Sequence, residues 1–386
     1  MIRGSPSCCI LKFRKQEFLF RRFVNPVSSS SRKQSPRNGS RSSSEVPGAQ
    51  TTPKPLRVVA IGGGTGLSTL LRGLRRHVNF PDWPANEPVE ISDLAAVVTV
   101  TDDGGSSGRL RKDFNMLPPG DLRNCMVALS AEEDLLAKLF AHRFRSGDGL
   151  NGHNFGNLFV AALTEITGDF AHAIQLASKI LATRGRIYPA TTTNATLIAR
   201  MEDGSEVRGE TSITASRQRI AELVLDPPDA VALPETLDAI DRADLITVGP
   251  GSLYTSLITN LLVQGIPSAL TTARGVRVYI CNLMTQANES LGLTASEHIE
   301  RIYEHTRAPI FDYAIVNIAP FSPDTLERYA AERAAPIEAD VERIEALGVR
   351  CIVGDFASEE SVVRHAADRV TAALLALGRT ARPRRD

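Results

Sequence analysis

The run Leu56-Arg57-Val58-Val59-Ala60-Ile61, then Gly62-Gly63-Gly64-Thr65-Gly66, then Leu67-Ser68-Thr69-Leu70-Leu71-Arg72-Gly73-Leu74 decides the fold. The apolar, β-branched first part predicts a strand over 56–61, and leucines at 67, 70, 71 and 74 keep helical spacing, predicting a helix over 67–76. Glycines between a strand and a helix let backbone N–H groups approach a phosphate, and the helix turns its positive end toward it. The spacing is neither the dinucleotide-binding G-x-G-x-x-G nor a Walker loop. A tight turn without a ligand is the competing reading. The order strand, loop, helix favours Gly62, Gly63, Gly64, Thr65 and Gly66 as phosphate or nucleotide binders.

The same arrangement recurs where a strand over 244–249 meets Gly249-Pro250-Gly251-Ser252 and a helix over 252–264. Ser252 is a hydroxyl donor and a candidate N-cap. Two such turns on one sheet, with Gly249, Gly251 and Ser252 in the second, suggest a diphosphate or a nucleotide-linked ligand. Further strands are expected at 94–100, 276–282, 313–318 and 350–354. Helices are expected at 132–145, 156–166, 169–182, 294–306, 322–334 and 358–377. That alternation implies an α/β protein with a mainly parallel sheet and helices on both faces. Thr196–Met201 and Val207–Glu210, joined by Glu202-Asp203-Gly204-Ser205, break the rhythm and predict a small β-hairpin insertion.

Three more stretches fall beside predicted strand or helix ends. Thr101-Asp102-Asp103-Gly104-Gly105-Ser106-Ser107-Gly108-Arg109 follows strand 94–100, where an acidic residue can accept ribose hydroxyls or hold a hydrated Mg²⁺. In Pro118-Pro119-Gly120-Asp121-Leu122-Arg123-Asn124, Asp121 is a candidate cap for the helix that follows, with Arg123 placed to clamp a phosphate and Asn124 beside it. In Gly152-His153-Asn154-Phe155-Gly156-Asn157-Leu158, His153, Asn154 and Asn157 open a helix and can contact an anion or sugar hydroxyls. A lone His is more often structural than a base, and no second His stands at metal-ligand spacing. Asn282, at the end of strand 276–282, offers an amide to a base or sugar.

Composition excludes several classes. The 44 Lys plus Arg balance 44 Asp plus Glu, but residues 1–55 hold eleven basic and two acidic residues and the other 331 carry the compensating −9. The first 55 residues also hold eleven Ser and read as a disordered extension. An organellar presequence, a nucleic-acid-binding arm and an over-extended translation start compete, the last being favoured. The body is expected over 56–378, with an Arg-rich tail over 379–386. Apolar runs such as Leu94–Val98 are too short for a membrane span. Cys8, Cys9, Cys125, Cys281 and Cys351 form no zinc or disulfide pattern. Trp83 is the only Trp, a poor stacking platform that argues against nucleic acid as partner. No G-x-S-x-G elbow and no H-E-x-x-H pair occurs.

Together these stretches resemble the family of 2-phospho-L-lactate transferase (CofD-like) proteins, over about residues 56–375. The likeness rests on "IGGGTGLSTLLRGL" at Ile61–Leu74, "VTVTDDGGSSGRLR" at Val98–Arg111, "PPGDLRN" at Pro118–Asn124, "GHNFGNL" at Gly152–Leu158, "ADLITVGPGSLYTSLITNLLV" at Ala243–Val263 and "YICNLMTQ" at Tyr279–Gln286. It is nearest to the bacterial gluconeogenesis-factor (YvcK) branch, where "TDDGGSSGRLR" and "PPGDLRN" place it. Thr101 and Asn154 stand where Ala and Ser are expected. The resemblance implies a Rossmann-like domain with a cleft at the strand ends. In that branch it implies a cytoplasmic regulator that binds UDP-sugars and acts on carbon metabolism, cell shape and wall synthesis, with no assigned turnover. The alternative it implies is transferase chemistry, moving phospholactate from a guanosine diphosphate carrier to a deazaflavin alcohol with Mg²⁺. Catalytic and metal roles would then fall on Asp102 and Asp103. A homo-oligomer is compatible with either.

Overall fold

The computed structural model describes residues 54–79, 89–131, 135–216, 218–286 and 289–381. The extension read at 1–55 lies outside them up to residue 53, as does the tail after residue 381. The strands are β1 Leu56–Gly62, β2 Ile91–Val98, β3 Arg186–Pro189, β4 Thr196–Met201, β5 Glu206–Arg208, β6 Ile220–Asp226, β7 Leu245–Val248, β8 Val276–Ile280, β9 Tyr313–Asn317, β10 Arg350–Gly354, β11 Ala357–Glu359 and β12 Val363–His365. The helices before the second glycine turn are α1 Gly64–Leu74, α2 Gly105–Phe114, α3 Gly120–Leu129, α4 Leu135–Ala141, α5 Phe155–Thr167, α6 Phe170–Ile180, α7 Glu210–Ala215 and α8 Pro234–Arg242. After it come α9 Thr259–Leu261, α10 Ile266–Thr272, α11 Ala295–Thr306, α12 Pro323–Ala331, α13 Val341–Ala346 and α14 Ala367–Thr380.

Seven strands form one sheet in the order β10-β9-β8-β7-β1-β2-β3, every neighbouring pair parallel. Alternation along β1 explains the layers. Val58 and Ala60 enter one core with Leu67, Leu70, Leu71 and Leu74 of α1, while Val59 and Ile61 enter the opposite core with Leu253, Leu257 and Ile299. Both faces are therefore covered, as a parallel sheet requires. Starting at β1 the chain builds outward through β2 to β3, then returns to lay β7 on the other side of β1. The strand order reverses between β1 and β7, and ligands of open α/β sheets bind at the carboxyl ends of such strands.

The small insertion is a three-stranded antiparallel sheet, β5-β4-β6, rather than a hairpin alone. Two expected helices differ. Over 252–264 the chain forms a wide turn, Leu253–Ile258, before α9. The Leu257 N–H reaches the Ser252 carbonyl at 3.0 Å, five residues back. Such π-type turns gather at functional sites. Over 358–377 the helix is confined to α14, and Ala357–His365 forms the β11–β12 hairpin. Val362 and Val363 favour extended backbone there. The Glu359 carboxylate is drawn aside to accept from the Ser322 N–H and Oγ–H at the start of α12. Among the described residues, no helix is long and apolar enough to cross a membrane.

Candidate functional site

Gly63–Gly66 and Pro250–Ser252 meet at the reversal point and open onto one cleft of about 280 Å³, while Gly62 and Gly249, expected as binders, do not line it. Its floor is Gly63, Gly64, Gly66, Gly251 and Ser252, and its far wall includes Asn282 and Gln286 after β8. At Gly66 the packing leaves no room for a side chain: a Cβ would stand 2.5 Å from the Pro250 carbonyl oxygen. Gly251 is tight in its own turn, where a Cβ would stand 3.1 Å from Ser256 Cβ and in ordinary contact with the Gly63 carbonyl oxygen at 3.5 Å. The first N–H groups of α1 have no partners within the helix, so they present donors to the cleft.

One of those donors is already engaged. The Gly64 N–H donates to the Asp121 carboxylate at 2.7 Å. Asp121 does not cap the helix that follows it. It lies within α3, whose N-cap is Pro119, and it serves the start of α1 instead. Burial pushes the Asp121 carboxyl up to about 6, against the lowering pull of the Gly64 N–H. Ser252 likewise makes no side-chain cap, and its Oγ accepts from Gln286 Nε2 at 2.9 Å. Asn282 closes the junction, its Oδ1 lying 3.5 Å from the Gly251 N–H.

The remaining predicted residues gather beside this cleft, on the β2 side. Asp102 Oδ1 accepts from the Gly104 N–H at 2.9 Å. Asp103 Oδ1 accepts from the Thr211 N–H at 2.8 Å and the Thr211 hydroxyl at 2.6 Å, so it holds the start of α7. Arg123 donates to Asn157 Oδ1 at 3.2 Å and has no ion pair among the described residues. Burial pulls its guanidinium down to about 10. Asn124, three residues on in the same helix, favours the ionised form of Asp121. Asn154 Oδ1 caps α5 through the Asn157 N–H at 3.1 Å. His153 is buried and its Nδ1 sits 3.1 Å from Ser106 Oγ, with burial lowering its pKa. His153 thus belongs to the packing under α2 and α5 and does not line the cleft.

Several functional candidates escaped the sequence. His365 and Tyr329 line the cleft from the C-terminal hairpin and from α12. His365 Nε2 lies 3.0 Å from the Cys281 carbonyl, and burial lowers its pKa to about 4. Glu289, buried, accepts from Thr255 Oγ–H at 2.9 Å, and burial raises its pKa. Glu210 is pushed up to about 9, first by burial and then by Asp102, Asp121, Glu289 and Asp103. Its Oε2 has no hydrogen-bond partner among the described residues. No local motif marks these residues, and His365 and Tyr329 come to the cleft only through long-range folding.

Mg²⁺ usually takes one or two carboxylates and completes its shell with water and substrate phosphates. Among the described residues no group of three or more His, Cys, Asp or Glu is arranged to hold a metal. The donor set therefore suits Mg²⁺ only in the form that borrows ligand phosphates. Asp102 is the better carboxylate for it, since Asp103 is taken up by Thr211.

A family model described as 2-phospho-L-lactate transferase CofD matches residues 58–357. A protein named gluconeogenesis factor from Halalkalibacterium halodurans is 47% identical over 323 residues, covering 83% of this chain and 96% of that protein. The gluconeogenesis factor of Bacillus subtilis is 44% identical, covering 83% and 98%. A crystal structure of a UPF0052-family protein from Bacillus halodurans superposes with a TM-score of 0.78 at 47% identity, over 83% of this chain and 99% of that one.

Proposed function

The chain belongs to the 2-phospho-L-lactate transferase CofD family, beside relatives named gluconeogenesis factor, and from that premise we propose that it is a cytoplasmic protein that binds a nucleotide-linked sugar, of the UDP-sugar class, and regulates carbon metabolism, cell shape and wall synthesis through that binding. The observation that carries the reading is the single cleft shared by the two glycine turns at the β1/β7 reversal. Two helix-type N-termini converging on one space suit a diphosphate, whose charge is spread over two phosphates. Ser252, Asn282 and Gln286 supply hydroxyl and amide groups for the rest of the ligand. Mg²⁺ held by Asp102 and the ligand's own phosphates would neutralise the diphosphate beside the nearby carboxylates.

Calorimetric titration of UDP-sugars into the native chain tests this. Micromolar-range binding is expected, weakened ~10-fold or more by Gly66→Ala, which corresponds to about 1.4 kcal/mol. No heat of binding with any UDP-sugar would remove the reading.

One observation favours a second reading, transfer chemistry with a phospho-acid donor. Burial raises the Glu210 carboxyl to about 9, and its Oε2 meets no hydrogen-bond partner among the described residues. A carboxyl kept neutral can donate a proton or hydrogen bond in a reaction. Incubation with guanosine-linked phospholactate, the deazaflavin alcohol and Mg²⁺ separates the two, since only transfer yields a phosphorylated deazaflavin.

A further inference from the structure

Three guanidinium groups converge on the segment Asn151–Asn157, and none of them lines the glycine-turn cleft. Arg109 of α2 donates from Nη2 to the Asn151 carbonyl at 2.9 Å, and Arg143, after α4, donates from Nη1 to the Gly152 carbonyl at 2.8 Å. Two consecutive peptide units thus fix two cations side by side. Arg123 of α3 reaches the same segment through Nε, which donates to Asn157 Oδ1 at 3.2 Å. Glycines make the room. A Cβ on Gly152, whose φ is +81°, would stand 3.1 Å from Arg109 Nη2, and one on Gly156 would stand 2.8 Å from Arg123 Cγ. None of the three arginines has an ion pair among the described residues, and the charges oppose one another. Behind the effect of burial, Arg143 helps to lower the Arg123 pKa, and Arg109 and Arg143 both help to lower that of His153. The acids that act on Arg123 are occupied, Asp121 by the Gly64 N–H and Asp102 by the Gly104 N–H. The acid that acts on His153, Asp113, is exposed on α2. The 13-residue helix α5 also starts here, capped by Asn154, and adds the positive end of its dipole. Like charges held together by backbone bonds cost energy that an anion between them would recover.

We propose that Arg109, Arg123 and Arg143 form a second oxyanion site, which takes the carboxylate or phosphate of a small molecule other than the one held at the glycine turns. The inference stands apart from the diphosphate reading, since it uses no residue of that cleft. Each guanidinium has five N–H donors and gives one to the loop, so its planar fork is oriented and still has donors to offer. Carboxylate and phosphate match that fork with two parallel hydrogen bonds, and side chains already oriented lose little freedom on binding. Arg123 is half-buried while Arg109 and Arg143 are exposed, an arrangement that a small anion can enter and a broad polyanion surface cannot follow.

Titrations of inorganic phosphate and of malonate into the full chain, followed through the arginine Nε–H resonances, test the proposal. The two probes separate a phosphate from a carboxylate preference. At least one is expected to shift the resonances of Arg109, Arg123 and Arg143 together, with one midpoint. Arg109→Gln and Arg143→Gln should each weaken that binding ~10-fold or more, the loss of a charge-assisted hydrogen bond. Gly66→Ala, which fills the glycine-turn cleft, should leave it within ~2-fold. Thermal unfolding confirms that each variant folds, and either exposed arginine carries the test if the other variant does not. Resonances that neither probe moves overturn the site, and so do Gln variants that bind both probes as the native chain does. A loss caused by Gly66→Ala instead would place the anion at the glycine turns and overturn it as well.

Discussion

Asp121 shows how one residue can be read correctly as a cap and assigned to the wrong helix. Its position two residues after Pro119 suggests a local role, and its carboxylate instead spans to Gly64 at 2.7 Å. A buried anion at a helix N-terminus is stabilised by the dipole and opposed by lost hydration. Here hydration wins, since the carboxyl is raised to about 6 from 3.8. A folded-state pKa above the unfolded one adds stability that is full below about pH 4 and lost as pH rises through about 6. The gap is worth about 1–3 kcal/mol after allowance for partial contact with water. Asp121→Asn keeps an acceptor for Gly64 and removes the titration. Between pH 4 and pH 7 the native chain should therefore lose about 1–3 kcal/mol more unfolding free energy than the variant, read by denaturant melts. Parallel pH profiles for the two proteins would show that Asp121 ionises without cost.

At the scale of elements, the site depends on two turns that are distant in sequence being held at one distance in space. Asn260 is the fastener. It is fully buried, and its Nδ2 donates to the Gly62 carbonyl at 3.0 Å and the Ser256 carbonyl at 2.6 Å. It thereby ties the end of β1 to the wide turn Leu253–Ile258. That turn runs close under Gly63. A Cβ placed on Gly63 would already lie 3.4 Å from Ser256 Cβ. Asn260→Ala leaves the Ser256 carbonyl to find another partner, and a buried unmet acceptor costs about 1–3 kcal/mol. The expected result is that loss in denaturant midpoint with an unchanged slope, together with weaker anion binding at the cleft. A stability change under ~0.5 kcal/mol would show that the turns hold their places without it.

Across the whole molecule, the pattern legible in the sequence was the local one. Strand, glycine turn and helix at Leu56–Leu74, and strand and glycine turn again after Leu245, are written in contiguous residues, and both turns border the same cleft. β3 went unread because Arg186–Pro189 is only four residues long and ends in Pro. The His365 hairpin was masked by a polar run that also suits a helix. Glu210 and Glu289 were invisible because their surroundings come from other elements: Thr255, 34 positions from Glu289, and Asp102 and Asp121 for Glu210. The strand order was beyond sequence pattern for the same reason: Val248 and Val97 flank Ile61 from opposite sides through pairings that no periodicity records.

That long-range closure yields a further expectation. A ligand bridging both turns links segments about 190 residues apart, so its binding energy should stabilise the whole fold and quiet both turns together. Inorganic pyrophosphate at ~100 times its dissociation constant should add about 2.7 kcal/mol to unfolding. Amide exchange should slow at Thr65–Gly66 and at Gly251–Ser252 in the same titration and with the same midpoint, since both sets of N–H groups would face one anion. Protection confined to the first turn would mean that the anion sits on α1 alone, and the second glycine turn would then be a structural neighbour of the site instead of half of it.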